Sequence, residues 1–156
     1  MRLGLWAVWM AGAVWAQTAA KPPVTLRVHL IVPCGAPGAG GPVKVSNPDA
    51  RLCLEKKPFL TQADVETAEV QPASGGRTLV LLTFHHDAAM RELQVTMANI
   101  GNRVGILLNG RMMGTPVISA GSRLLYIDGG FTRQQAEEIV GAFNRGLAAQ
   151  HKSSAK

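Results

Sequence analysis

Few residues in this chain have the types and spacing for chemistry. His85-His86-Asp87 sets two imidazoles beside a carboxylate, the donor types that zinc and nickel take, with His29 or His151 as an outside partner. The spacing argues against a metal site. Neighbours on a strand point to opposite faces, so these three side chains do not converge without a bend. The tripeptide reads more simply as a polar strand-to-helix turn in which Asp87 caps the helix. No metal and no cofactor are expected. There is no Gly-x-Ser-x-Gly, and Ser, His and Asp lie scattered without a signature of nucleophilic catalysis. No acid cluster supplies a paired acid and base, and the glycines form no phosphate loop between a strand and a helix. The expectation is a protein that is not an enzyme.

Cys34 and Cys53 are the only cysteines. An even pair in an oxidising compartment reads as a disulfide. Free thiols for redox chemistry or metal are the alternative, weakened by the lack of Cys-x-x-Cys. The bridge would close a Gly- and Pro-rich loop and contribute roughly 3 kcal/mol.

The compartment follows from the first residues. Arg2 is a charged lead, Leu3 to Val14 is an apolar run too short to span a bilayer, and Val14-Trp15-Ala16 is a small-x-small cleavage pattern. Residues 1–16 therefore read as a signal peptide rather than a retained anchor or buried helix. No cysteine follows the run directly, so a lipid-anchored cysteine is not indicated. No later stretch is apolar enough to cross a membrane. The expected location is periplasmic or otherwise extracytoplasmic, with no membrane span after signal cleavage. The whole chain carries +6, and cleavage removes one arginine and no acid. That balance suits anionic partners only weakly. The basic residues are scattered with little aromatic interleaving, which argues against nucleic acid.

The element that must organise the domain is Arg103 to Ile118, where two apolar runs flank Asn109-Gly110. Asn-Gly suits a type I′ turn, which needs positive φ at both central residues. That turn sets Leu108 opposite Arg111, Leu107 opposite Met112, Ile106 opposite Met113, Gly105 opposite Gly114, and Val104 opposite Thr115. Pro116 should weaken the pairing. Gly105 facing Gly114, with Leu107 and Met112 beside them, would leave bare backbone that another chain can approach closely; these four form the candidate binding surface. The alternatives are that the protein's own helix packs there, or that Gly114 starts a bulge.

Leu108-Asn109-Gly110-Arg111-Met112-Met113-Gly114-Thr115-Pro116-Val117-Ile118 resembles a stretch of the head part of the first periplasmic domain of SecD, a protein-export subunit. Lys57-Pro58-Phe59-Leu60-Thr61-Gln62-Ala63-Asp64-Val65, Ala98-Asn99-Ile100-Gly101-Asn102-Arg103 and Ile127-Asp128-Gly129-Gly130-Phe131-Thr132-Arg133-Gln134-Gln135-Ala136 resemble other parts of that head, in the same order. The resemblance covers roughly residues 51 to 147. It implies a head on the outer side of the membrane that engages polypeptide leaving the translocon. The membrane helices and intramembrane carboxylates that drive the family's motion have no counterpart in this sequence.

The remaining pattern fills in the fold. Val24 to Val32 alternates as a half-buried strand. Pro33 to Pro48 holds four Gly and four Pro and reads as an irregular loop. Arg51–Lys56 is a short strand, and Thr61 with Asp64 forms a capping box for a short helix fading near Ala68. Glu69–Pro72 and Arg77–Phe84 are strands, the second central and covered on both sides. A second helix buries Met90, Leu93, Met97 and Ile100. Ser122–Asp128 is a strand. Thr132 and Gln135 box a last helix whose inner stripe is Ala136, Ile139, Val140, Phe143 and Leu147.

The predicted fold class is α+β, a single domain with a mostly antiparallel sheet and about three helices packed largely on one face. The predicted organisation is a signal peptide at 1–16, an N-terminal strand and Gly/Pro-rich loop at 17–50, the head-like domain at 51–147, and a disordered tail at 148–156. The expected function is an exported, non-catalytic module that binds protein or polypeptide segments. A structural or regulatory envelope module for a fixed protein partner or anionic wall polymer is the alternative.

Overall fold

The computed structural model describes residues 23–44, 51–119 and 121–154. The proposed signal peptide lies outside these residues. β1 (Leu26–Val32) is the strand the first sheet grows from. It pairs antiparallel with β7 (Val104–Leu108) from Leu26 to Leu30. Its other edge takes β4 (Leu60–Thr61) near its start and β3 (Arg51–Glu55) at its end. β2 (Ala39–Lys44) lies outside β3, and β8 (Arg111–Gly114) outside β7, giving the order β2-β3-β1-β7-β8. The second sheet has three antiparallel strands, β5 (Val65–Pro72), β6 (Thr78–Phe84) and β9 (Leu124–Phe131), with β6 in the middle. α1 (His86–Met97) follows β6, and α2 (Arg133–Ser154) follows β9 and lies along β5 and β6.

One core joins these parts. Leu26, Val28 and Ile106 from the first sheet belong to the same buried cluster as Val80, Leu82 and Ile127 from the second and Ala136, Phe143 and Leu147 from α2. The α2 stripe is the predicted one, with Ile139 and Val140 at its half-buried margin. Its capping box also forms: the Thr132 N–H donates to Gln135 Oε1 at 2.9 Å, and the Gln135 N–H donates to Thr132 Oγ1 at 3.2 Å. The helix continues to Ser154, past the start predicted for a disordered tail.

Several expectations need correction. Among the described residues the strands form two sheets rather than one, and there are two α-helices rather than three. Thr61 and Asp64 do make their capping box, yet it heads only the 3-10 turn Gln62–Asp64 before β5 begins. The β-branched Val65, Thr67 and Val70 favour extended backbone, and pairing with β6 satisfies it. Within the predicted irregular loop, residues 39–44 pair with β3 as an edge strand, where Pro42 is tolerated. β6 is central, but only Val80, Leu82 and Phe84 are buried; Leu79, Leu81 and Thr83 on its other face are half-exposed. His85, not Asp87, is the N-cap of α1, with no side-chain cap, and Asp87 lies in the first turn.

The methionine stripe of α1 is also misassigned. Met90, Met97 and Ile100 face solvent, Met97 at 64% exposure. The buried face is rotated away from them and carries Ala88, Ala89 and Thr96. Thr96 can be buried because its hydroxyl donates to the Glu92 carbonyl at 2.9 Å, within its own helix. Near the helix's end the chain comes close: a Cβ on Gly121 would stand 2.6 Å from Leu93 Cδ1 and 3.0 Å from both Leu93 Cα and Thr96 Oγ1.

Two predictions follow from this architecture. Cys34 and Cys53 are bridged across a sequence separation of 19, pinning the β1–β2 connection to β3. Replacing both with serine should cost about 3 kcal/mol and lower the melting temperature by roughly 10 °C in calorimetry, whereas an unchanged melt would show that the bridge constrains nothing. Asn109 holds φ at 52°, its N–H donates to the Thr25 carbonyl at 2.8 Å, and its Oδ1 accepts from the Thr25 N–H at 2.9 Å. Asn109→Gly keeps the turn and loses one hydrogen bond, so about 1 kcal/mol should go; Asn109→Val adds strain and should cost clearly more in denaturant titration.

Candidate functional site

The Asn109-Gly110 turn pairs Leu108 with Arg111 and Leu107 with Met112, as its geometry demands. The register then slips, and Ile106 stands opposite Gly114 rather than Met113. Met113 is the extra residue of a bulge. Beyond it, the Val104 N–H donates to the Pro116 carbonyl at 3.1 Å, and Arg103 bridges Val117. The predicted pairs Gly105–Gly114 and Val104–Thr115 do not form.

This divides the candidate surface. Gly105, Leu107 and Met112 share the face of the first sheet turned away from the core, whereas Gly114 stands opposite the buried Ile106. Gly105 itself is not bare. A Cβ there would lie 2.8 Å from Leu54 Cδ2 and 3.1 Å from Met112 Cε, so the protein's own side chains cover it. Leu107 and Met112 remain half-exposed. The covering residue comes from β3, not from a helix.

The bulge also aims Met113 at the second sheet. Its methyl lies 2.4 Å from where a Cβ on Gly129 would stand, so it fills the space that Gly129 leaves. β8 and β9 thus lie beside each other, yet among the described residues they share no strand pairing. Open clefts flank this pinch. One, about 740 Å3, lies between the hairpin tip and α2, lined in part by Val24, Asn109, Arg111, Phe131, Gln135 and Ile139. The other, about 350 Å3, lies between Gly114–Pro116 and Tyr126–Asp128, floored by Ile106 and Ile127. This seam was not read from the sequence. Pro116 marked the end of regular pairing, but nothing local said that β9 would be the facing strand.

The residues first considered for metal chemistry do not assemble. His85, His86 and Asp87 are exposed, and His29 is buried with Nδ1 2.7 Å from the Glu55 carbonyl oxygen. Among the described residues no group of three or more His, Cys, Asp or Glu could hold a metal ion.

Comparison with known proteins decides the family. The model for the SecDF P1 head subdomain matches residues 42–147. The chain belongs to that family. SecDF of Thermus thermophilus is 43% identical over 61 residues, covering 39% of this chain and 8% of the relative. SecD of Aquifex aeolicus is 34% identical over 88 residues, covering 56% and 18% respectively. A solved structure of SecDF, reported as a membrane component that enhances protein export, superposes with a TM-score of 0.61 at 25% identity, covering 78% of this chain and 62% of that one. SecDF in its super-membrane-facing form gives 0.60 at 25% identity, covering 77% and 18%. The head therefore spans less than a fifth of the length of these curated relatives.

Electrostatics tie α1 to this head. Arg91 pairs with Asp64, whose other oxygen accepts from the Thr61 N–H at 2.7 Å, so the capping turn is fastened to the helix. Glu92 accepts from the Ser122 N–H at 2.9 Å, fixing the chain before β9. Burial raises the Glu92 carboxyl above the ordinary carboxylate range, and the Ser122 hydrogen bond offsets part of this. A raised folded-state value means that the stability contribution is complete below the unfolded carboxylate value and is lost as pH rises through the folded one. Glu92→Gln keeps an acceptor for Ser122 without a charge to desolvate. Its melting temperature should match or exceed the parent's by about 2 °C at pH 7, with the advantage gone at pH 4. An advantage that grows towards acid would contradict this assignment.

Proposed function

We propose that this head is an exported, non-catalytic binding module for polypeptide, contacting translocated or unfolded chains outside the cytoplasm. The observation that carries the reading is the match to the SecDF P1 head over residues 42–147, supported by a shared fold at a TM-score of 0.61. SecDF is reported to enhance protein export, and the head is the part of it that this chain matches. Among the described residues no helix is long and apolar enough to cross a membrane. Export of the chain rests on the signal-peptide pattern of residues 1–16.

Surface chemistry supports binding over catalysis. Met90 and Met97 lie on the outside of α1, Ile100 is exposed in the turn after it, and Val117 is exposed beside the segment hydrogen-bonded to Gly101 and Asn102. Unbranched methionines adapt to varied apolar partners, which suits a surface that meets many sequences. The outer face of the second sheet adds Leu124 and Tyr126.

The test is titration of the mature protein against a reduced, carboxymethylated, permanently unfolded protein carrying a fluorophore. Saturable binding in the micromolar range is the expected result. If anisotropy stays flat to high micromolar concentrations while crosslinking in the native envelope captures one stoichiometric partner, the fixed-partner module replaces this reading.

A further inference from the structure

We propose that the larger cleft, between the hairpin tip and α2, holds the C-terminal carboxylate of a polypeptide that ends in an apolar residue, with Arg111 pairing that carboxylate. The inference rests on the polypeptide-binding reading above and gives that reading a site and a recognised group.

The cleft of about 740 Å3 has the size of a ligand site, and its lining is of two kinds. Val24, Phe131, Ile139 and Ala142 make it apolar on one side. Arg111 brings the positive charge. It stands opposite Leu108 in the hairpin, and cross-strand partners share a face. Its side chain therefore leaves β8 on the side where Leu108 is buried, away from Met112. Arg77, Arg91, Arg123 and Arg133 each pair with a carboxylate of the protein. Among the described residues Arg111 has no such partner.

The neutral polar groups of the cleft are donors as well. Asn109 and Gln135 both line it, and each has its amide oxygen engaged within the protein. Asn109 Oδ1 accepts from the Thr25 N–H and Gln135 Oε1 from the Thr132 N–H, both at 2.9 Å. What each has left is an NH2 group, which can only donate. One guanidinium fork with two amide donors matches an acceptor of single negative charge, and the fork fits a carboxylate. A dianionic phosphate would leave charge unbalanced, the more so beside Glu138, the acid in the lining, which already has an interaction of its own. The apolar wall sets the rest. At a chain end the carboxylate and the last side chain share one Cα, so an apolar last residue reaches both kinds of lining together. The cleft opens to solvent, which gives the remainder of the chain a way out.

The test is a short fluorescent peptide ending in leucine, made as the free acid and as the C-terminal amide. The free acid should bind the unaltered protein about tenfold or more tightly than the amide. Arg111 is exposed and without an ion pair, so Arg111→Gln should fold normally. It should weaken the free acid only, leaving less than about a threefold preference. In the unaltered protein the Arg111 Nε–H resonance should shift with the free acid and stay still with the amide. Equal affinity for the two peptides, or a preference for the acid that survives Arg111→Gln, overturns the carboxylate site. If the reduced, carboxymethylated protein still binds in that case, the binding function stands. Binding of decanoate without binding of the free-acid peptide overturns the polypeptide end as occupant. Failure of both peptides and of the carboxymethylated protein to bind overturns the site and the function together.

Discussion

The tight reversal at Asn109-Gly110 constrains the chain at three distances. Locally it forces the Leu108–Arg111 register. Through the Asn109 side chain and main chain it grips Thr25, and so sets where β1 begins against β7. Further on the register slips at Met113, and the freed side chain is laid across Gly129. A hairpin with two more regular pairs would have buried Met113 on its own sheet. The bulge spends that residue on the neighbouring sheet instead, and the two sheets meet there without hydrogen bonds.

Legibility followed the range of the determining interaction. The Asn-Gly turn, the Thr132/Gln135 box and the α2 stripe were readable because each is decided within a few residues by backbone preference or helical spacing. Thr61 to Ala68 was misread because its capping box is real but its continuation is decided by β6, many residues away. The α1 stripe failed for a different reason. Periodicity says that Met90, Met97 and Ile100 share a face, but not which face the fold needs, and the buried face is the one that carries Ala88, Ala89 and Thr96. Residues 39–44 looked shapeless because an edge strand held by β3 needs little propensity of its own. The candidate surface was half legible: the turn placed Leu107 beside Met112, while the bulge and the arrival of Leu54 over Gly105 came from tertiary packing.

Open strand edges are normally blunted, because they invite pairing with other chains. At the far side of each sheet this is done simply: β2 carries Pro42, and β5 is flanked by α2. The β8 and β9 edges lie where the two sheets meet, and they carry Arg111 and Asp128 respectively.

The N-terminal strand bears on how far the family extends in this chain. The family match begins at residue 42, yet β1 ends at Val32 and is the only strand that joins β7 to β3 and β4. Residues 42–147 alone would leave β7 without its main partner and would expose Ile106 and Leu108 where Leu26 and Val28 now cover them. The cooperative unit is therefore larger than the matched segment. The Cys34–Cys53 bridge joins the chain just after β1 to β3, inside the matched segment, and Leu54 beside it is the residue that closes over Gly105. The N-terminal strand is thus part of the core, with Leu26 and Val28 buried.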